Sequence, residues 1–349
     1  RQMCIRDRGD GGARMTAKKA AKKAEKGKLA LYWAASCGGC EIAVLGIDDK
    51  ILQVADAFDI VFWPCVIDAK VRSIEMMEDK SIDLCLFNGA IRTSEQEYMA
   101  RLMRQKSKVL VAFGSCAHEG CIPGLANVTN REEIFQTAYH DTPSTDNPEG
   151  VRPQTETEVE EGLLYLPLFY DTVKTLGQTV DVDYTLPGCP PEPERIWDAI
   201  VAILENKLPA PGAVIGATTT VCDDCPRTRD EKKITEFKRT WEIIPDTETC
   251  LLEQGIVCSG IATRAGCGAL CPTVGSPCIG CYGPNAGADD FGARMMTALA
   301  SVIDSDDPEE IDRIIREGIP DPIAAFYRFS LPASQLRRIA ISEQAEETA

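Results

Sequence analysis

Sixteen cysteines stand in this chain of 349 residues, and eight of them, Cys222, Cys225, Cys250, Cys258, Cys267, Cys271, Cys278 and Cys281, share one glycine- and proline-rich stretch. Within it run Arg264-Ala-Gly-Cys267-Gly-Ala-Leu-Cys271-Pro and Ser276-Pro-Cys278-Ile-Gly-Cys281-Tyr-Gly-Pro284. Thiols at this density serve as disulfide staples, as tetrahedral zinc ligands, or as four-thiolate cradles for iron–sulfur clusters. The chain has only two histidines, His118 and His140, so mixed Cys/His zinc sites are poorly supplied.

Composition narrows the choice. With 44% hydrophobic and 26% charged residues, the chain has apolar material for one large domain and a smaller one. A net charge of −17 is the wrong sign for phosphate backbones, so no nucleic-acid partner is expected. The one notable basic run, Lys18 to Lys28, reads as a solvated tail. No stretch reaches the roughly eighteen consecutive apolar residues of a membrane span, and no apolar core follows the basic run as a secretory signal requires. The expectation is a cytoplasmic protein, in a reducing compartment that favours metal-bound or catalytic thiolates over disulfides. Residues 1–14, which include Cys4, precede Met15 and read as an extension.

The elements that must position the thiols follow from the apolar runs. Lys28–Ala35, Phe58–Trp63, Asp83–Ala90 and Lys108–Cys116 predict buried strands, and Val180–Pro191 a fifth. Between and after them, Glu41–Ala55, Ser94–Gln105 and Glu192–Asn206 carry apolar residues at helical spacing. Strands alternating with helices predict an α/β fold with a parallel, flavodoxin-like sheet, followed by a loop-rich iron–sulfur domain. His140–Gly162, rich in Asp, Glu, Thr and Pro, reads as a surface insertion. Beyond Pro284, Phe291–Ile303 and Pro308–Gly318 predict helices before a polar tail.

Ligands of such sheets bind beyond the carboxyl ends of the strands. Cys37 and Cys40 follow the first strand, Cys116 the fourth and Cys189 the fifth, each in a glycine turn that admits close backbone approach. Alone, Cys37-Gly-Gly-Cys40 is also the spacing of a thioredoxin-type dithiol. Two further strand-end cysteines favour a cluster. The eight-cysteine stretch is compatible with a pair of zinc knots, but its gap from Cys225 to Cys250 is wide and irregular. Twelve thiols taken as three fours fit three 4Fe–4S clusters.

Ser36-Cys37-Gly-Gly-Cys40-Glu41, Phe113-Gly-Ser-Cys116-Ala, Pro187-Gly-Cys189-Pro-Pro and the eight-cysteine stretch together resemble the small subunit of NiFe hydrogenases, over most of residues 28–285. The likeness is greatest to the cytoplasmic, viologen-reducing group linked to heterodisulfide reductase. The resemblance implies that Cys37, Cys40, Cys116 and Cys189 hold a proximal cluster, facing the catalytic metal of a separate large subunit. It implies a distal cluster on Cys222, Cys225, Cys250 and Cys258 and a medial one on Cys267, Cys271, Cys278 and Cys281. Exported members place a histidine where this chain has Cys222, and only three medial cysteines where it adds Cys271. These departures imply three all-cysteine 4Fe–4S clusters, and the resemblance itself implies no nickel ligand in this chain and a further redox subunit of iron–sulfur or flavin type at the distal end.

The expected division is residues 1–27 as a basic extension, 28–208 as the flavodoxin-like domain with the proximal cluster, 209–285 with the other two, and 286–349 as helices and tail. Two alternatives within the family are a deazaflavin-reducing and an NAD(P)-linked hydrogenase; from another class, the alternative is a zinc-stabilised interaction protein. A quinone-oxidoreductase subunit with a similar sheet would carry one cluster and no eight-cysteine stretch. Among the remaining thiols, Cys85 reads as a buried hydrophobe, and Cys65 and Cys121 as packing residues in preference to a place beside a cluster. His118 reads either as a hydrogen-bond donor to a cluster sulfur or as a loop histidine with no redox role, and Glu41 either as a carboxylate favoured by the helix dipole or as a group for proton movement. Arg227, Arg229 and Arg264 read either as counter-charges to the clusters or as surface ion pairs.

Overall fold

The computed structural model describes residues 26–230 and 233–336. Residues 1–25 of the basic extension, Cys4 among them, and the end of the polar tail therefore lie outside the described residues, whereas Gly27 and Lys28 already belong to the first strand. Nine strands are found among them: β1 (Gly27–Trp33), β2 (Phe58–Phe62), β3 (Ile82–Asn88), β4 (Ile91–Thr93), β5 (Ser107–Phe113), β6 (Glu156–Val159), β7 (Gly162–Tyr165), β8 (Phe169–Lys174) and β9 (Tyr184–Leu186). Five form a parallel sheet in the order β2-β1-β3-β5-β9. Renumbered within the sheet this is 2-1-3-4-5, the flavodoxin order, whose ligand crevice opens where the order reverses beside the first strand.

The two-residue period of a strand divides the core between two faces. Leu29, Leu31, Leu84, Leu86, Val111 and Phe113 point to one side, where helices Gly39–Leu45, Ile51–Ala57 and Pro193–Leu204 cover them. Ala30, Cys85, Phe87, Leu110 and Ala112 point to the other, beneath helix Ser94–Lys106 with its Met99, Leu102 and Met103. Helix Ser94–Lys106 begins with a capping box: Thr93 Oγ1 accepts from the Gln96 N–H at 3.3 Å, and Gln96 Oε1 accepts from the Thr93 N–H at 3.1 Å. Such a cap contributes about 1 kcal/mol. The helix expected over Glu41–Ala55 is broken after Leu45, because Gly46 closes it and Asp48 takes a positive φ of 56°.

Residues 91–174 hold pairings that the sequence pattern does not announce. β4 and β8 form an antiparallel pair, and β6 and β7 a hairpin inside and just beyond the insertion. Farther on, helices Phe291–Ala300, Pro308–Gly318 and Pro322–Phe326 pack against Ile234, Phe237, Leu252 and Ala262. The cysteine stretch is mostly loop, so this shared apolar cluster is its scaffold. Among the described residues no helix is long and apolar enough to cross a membrane.

Candidate metal centre

Parallel register sets the first group of thiols. Trp33 pairs with Asn88, Asn88 with Phe113 and Phe113 with Leu186, so four strands end level. The loops beyond are tied to one another: the Gly114 N–H donates to the Leu186 carbonyl and the Ser115 N–H to the Gly188 carbonyl, both at 2.8 Å. Cys37 and Cys189 lie in these loops, and Cys40 and Cys116 in the first turns of helices Gly39–Leu45 and Ser115–Glu119 that follow them. Gly114, at a φ of 80°, is required there, because a Cβ would run into Cys40 Sγ. Cys37 and Cys189 are exposed, whereas Cys40 and Cys116 are buried. Burial, with the neighbouring thiols of Cys189 and Cys37, pushes Cys40 up to about 12.

A fifth thiol joins this group. Cys121, expected to be a packing residue, is fully buried with its sulfur 3.7 Å from that of Cys189 and also bonds to Cys116. The bond that Cys121 donates to Cys116, together with burial and against the opposing bond with Cys189, holds the Cys121 thiol well above its usual range. Its sequence signal was the second cysteine five residues after Cys116, with Gly120 at a φ of 91° turning the chain back between them. Cys65, also expected to pack, is instead exposed in the turn after β2 and joins no group. Cys85 is completely buried within the sheet, as its apolar run indicates.

The second group surrounds a cavity lined by Cys222, Cys225, Cys250 and Cys258 together with Arg227 and Arg229. Burial and the thiols of Cys258 and Cys250 push Cys222 up to about 12. Arg227 is buried, so it is no surface ion pair. Its Nε donates to the Pro272 carbonyl at 2.7 Å, and its Nη1 to the carbonyls of Asp246 and Thr249 at 2.7 and 2.9 Å. One planar guanidinium thus fastens the loops that carry Cys225, Cys250 and Cys271.

The third group lies between the other two. Cys281 is surrounded by Cys267, Cys189 and Cys271, and burial pushes it up to about 12. It packs with Cys116, Cys121 and Phe329, while Ser115 Oγ donates to its carbonyl at 2.5 Å. At the opposite end, the Cys278 N–H donates to Cys258 Sγ at 3.3 Å. The twelve expected thiols therefore form a row, joined at Cys281 on one side and at Cys278 on the other.

Tetrahedral zinc draws four sulfurs to about 2.3 Å from one point. Among the described residues no three His, Cys, Asp or Glu side chains converge that way, although four thiols face one cavity. Four-thiolate iron–sulfur clusters match the sulfur-only chemistry of the donor set.

Three buried polar side chains lie behind the first and third groups. His118 is pushed down to about 4 by burial and then by the Arg264 cation, and its Nδ1 has no partner among the described residues. Glu119 is pushed up to about 8 by burial, against the pull of Arg264. Its carboxyl fills the space where a Cβ on Gly283 would sit. Arg264 is itself buried and donates from Nη1 to the Ala217 carbonyl at 2.9 Å, so it too is no surface ion pair. Glu41 is buried at the head of its helix, where it accepts from Trp63 Nε1 at 2.5 Å and from Asn88 Nδ2 at 3.4 Å. Those two bonds anchor the Cys37–Cys40 turn to the ends of β2 and β3.

Residues 37–203 match the family model described as NADH ubiquinone oxidoreductase, 20 Kd subunit, a match that ends before the eight-cysteine stretch. Longer likenesses take in that stretch. The chain is 41% identical over 317 residues to the iron-sulfur subunit of the F420-non-reducing hydrogenase of Archaeoglobus profundus, covering 89% of this chain and 98% of the relative. It is 39% identical over 316 residues to a vhu subunit of the F420-non-reducing hydrogenase of Methanocaldococcus jannaschii, covering 90% and 98%. A solved chain of an NAD+-reducing NiFe-hydrogenase is 28% identical, covering 53% of this chain and 94% of that one with a TM-score of 0.46. At the identity and coverage of the two archaeal relatives, this chain belongs to the family of F420-non-reducing hydrogenase iron-sulfur subunits and is the small subunit of a NiFe hydrogenase.

Proposed function

We propose that this chain relays single electrons through three 4Fe–4S clusters, between the nickel–iron site of its large subunit and a further redox subunit. The observation that carries the reading is the row of thiol groups, linked through Cys281 beside Cys189 and through Cys278 beside Cys258. Cys37, Cys40, Cys116 and Cys189 would hold the proximal cluster, Cys267, Cys271, Cys278 and Cys281 the medial, and Cys222, Cys225, Cys250 and Cys258 the distal. Bound there, the clusters supply one-electron transfer at potentials set by burial, hydrogen bonds and local charge.

A hydrogenase small subunit implies a large-subunit partner. Exposed Cys37 and the exposed apolar side chains of Trp33, Ile42 and Leu45 around it support the proximal end as the face that partner covers. At the other end, the names of the archaeal relatives support an acceptor other than the deazaflavin F420. The likeness to the viologen-reducing group supports an iron–sulfur or flavin subunit linked to heterodisulfide reductase, in the cytoplasm.

Iron, acid-labile sulfide and zinc content, with reduced-state EPR, test the reading on the anaerobically purified complex with the large subunit. About twelve irons with equal sulfide, and spectra of interacting clusters, are expected. Zinc without iron overturns it.

A further inference from the structure

A cavity of about 260 Å³ opens where the second and third thiol groups meet. Val257, next to Cys258, and Cys278 itself are in its wall, and its rim carries Lys238, Arg239, Trp241 and Arg328. In a chain of net charge −17 this rim is locally cationic. Lys238 pairs with Glu236 at 2.9 Å. The backbone N–H of Arg239 holds the Glu242 carboxylate at 2.7 Å, but its guanidinium lies over the Trp241 ring, 5.0 Å from the centroid, with no ion pair among the described residues. Arg328 donates from Nε to the Ala324 carbonyl at 3.1 Å and likewise has no acidic partner among them.

The apolar residues extend beyond the cavity. Trp241 is 74% exposed and Ile244, on the same loop, 95% exposed. An indole stacked with a guanidinium beside an exposed isoleucine is the composition of an interface anchor. A small molecule seated in the cavity would leave Ile244 in water, and the volume falls below the roughly 300–1,000 Å³ of ordinary ligand sites.

We propose that this face docks an acidic electron-transfer protein, with its carboxylates against Arg239 and Arg328 and its apolar contact on Trp241 and Ile244. Docking there seats the partner's redox centre where the medial and distal thiol groups meet, next to Cys278 and the neighbour of Cys258. This inference rests on the relay reading above and adds the surface through which electrons leave.

The test uses the anaerobic complex with its large subunit, an acidic 2Fe–2S ferredoxin as the probe protein, and benzyl viologen as a small acceptor. Hydrogen-dependent ferredoxin reduction should saturate and weaken with salt. Arg239→Glu combined with Trp241→Ala should raise the ferredoxin KM about tenfold or more, leaving iron content and viologen kcat unchanged, and Arg239→Glu alone should flatten the salt dependence. An unchanged KM, or a wild type with no salt-sensitive saturation, overturns the proposal. So does a variant that changes the mass of the assembly in light scattering with ferredoxin kinetics intact, which would give the face to a second copy. Absence of viologen reduction in the wild type itself overturns the relay reading, and this inference with it.

Discussion

The sulfurs of Cys121 and Cys189 lie 3.7 Å apart, although 68 residues of chain separate them. This contact gives the proximal group five thiols where a 4Fe–4S cluster uses four. Cys121 is fully buried, and its bonds run to Cys116 and Cys189, both expected ligands.

A thiol that donates to a ligand sulfur stabilises the reduced cluster. Cys121→Ala should therefore retain about twelve irons while lowering the proximal midpoint potential. One hydrogen bond of about 1 kcal/mol corresponds to about 40 mV for one electron. Cys189→Ser should instead lower the iron content by up to about four per complex. Metal analysis and EPR-monitored redox titration separate the two roles, and loss of four irons from Cys121→Ala would make Cys121 a ligand.

Gly114 lies against Cys40 at a left-handed φ of 80°. Gly114→Ala should displace the Cys40 thiol and remove the proximal EPR signal, with a stability cost above about 1 kcal/mol. The other two signals should persist, since Gly114 contacts neither of their thiol groups.

Arg227 bonds three carbonyls from loops of the cysteine stretch. Arg227→Met should leave those carbonyls unpaired and destabilise the stretch by on the order of 3 kcal/mol. The expected readout is faster iron release to a chelator, selective for the distal signal. Arg227→Lys should restore little, because one ammonium cannot span three acceptors held by a planar fork.

Glu119 gives stability a pH dependence of predictable sign. Its carboxyl is raised from the ordinary 4.5 to about 8 by burial, so between those values the folded chain holds a proton that the unfolded chain has released. Stability from this group is complete below about pH 4.5 and falls as pH rises toward 8. His118, pushed down to about 4 from 6.5, acts oppositely at lower pH, where stability falls as pH drops from 6.5 toward 4. Glu119→Gln should flatten the decline in melting temperature between pH 6 and 8, with wild type and variant melted anaerobically under the same conditions.

Much of the architecture was legible because it is locally encoded. Alternating apolar runs at Leu29–Leu31, Leu84–Phe87 and Leu110–Phe113 declare strands buried on two faces, and helix Pro308–Gly318 begins at a proline and ends at a glycine. The antiparallel pair of β4 with β8 was not legible. Ile91–Thr93 is too short to show a period, and its partner lies across an insertion of mixed polarity. Nor could spacing alone show the break after Leu45, since Gly46 occupies a position that a continuous helix tolerates at modest cost.

Sequence by itself determined the density of thiols, the delivery of Cys37, Cys40, Cys116 and Cys189 to strand ends, and the kinship carried by those motifs, because residue type and local spacing suffice for each. Tertiary structure decided what depends on distant segments meeting. It turned Cys121 inward against Cys189 and brought Cys281 beside the proximal thiols, buried Arg227 and Arg264, and opened a cationic cavity beside Cys278. Such contacts are fixed by level strand ends and by the shared packing of the C-terminal helices on the cysteine stretch, and neither leaves a periodic trace in the chain.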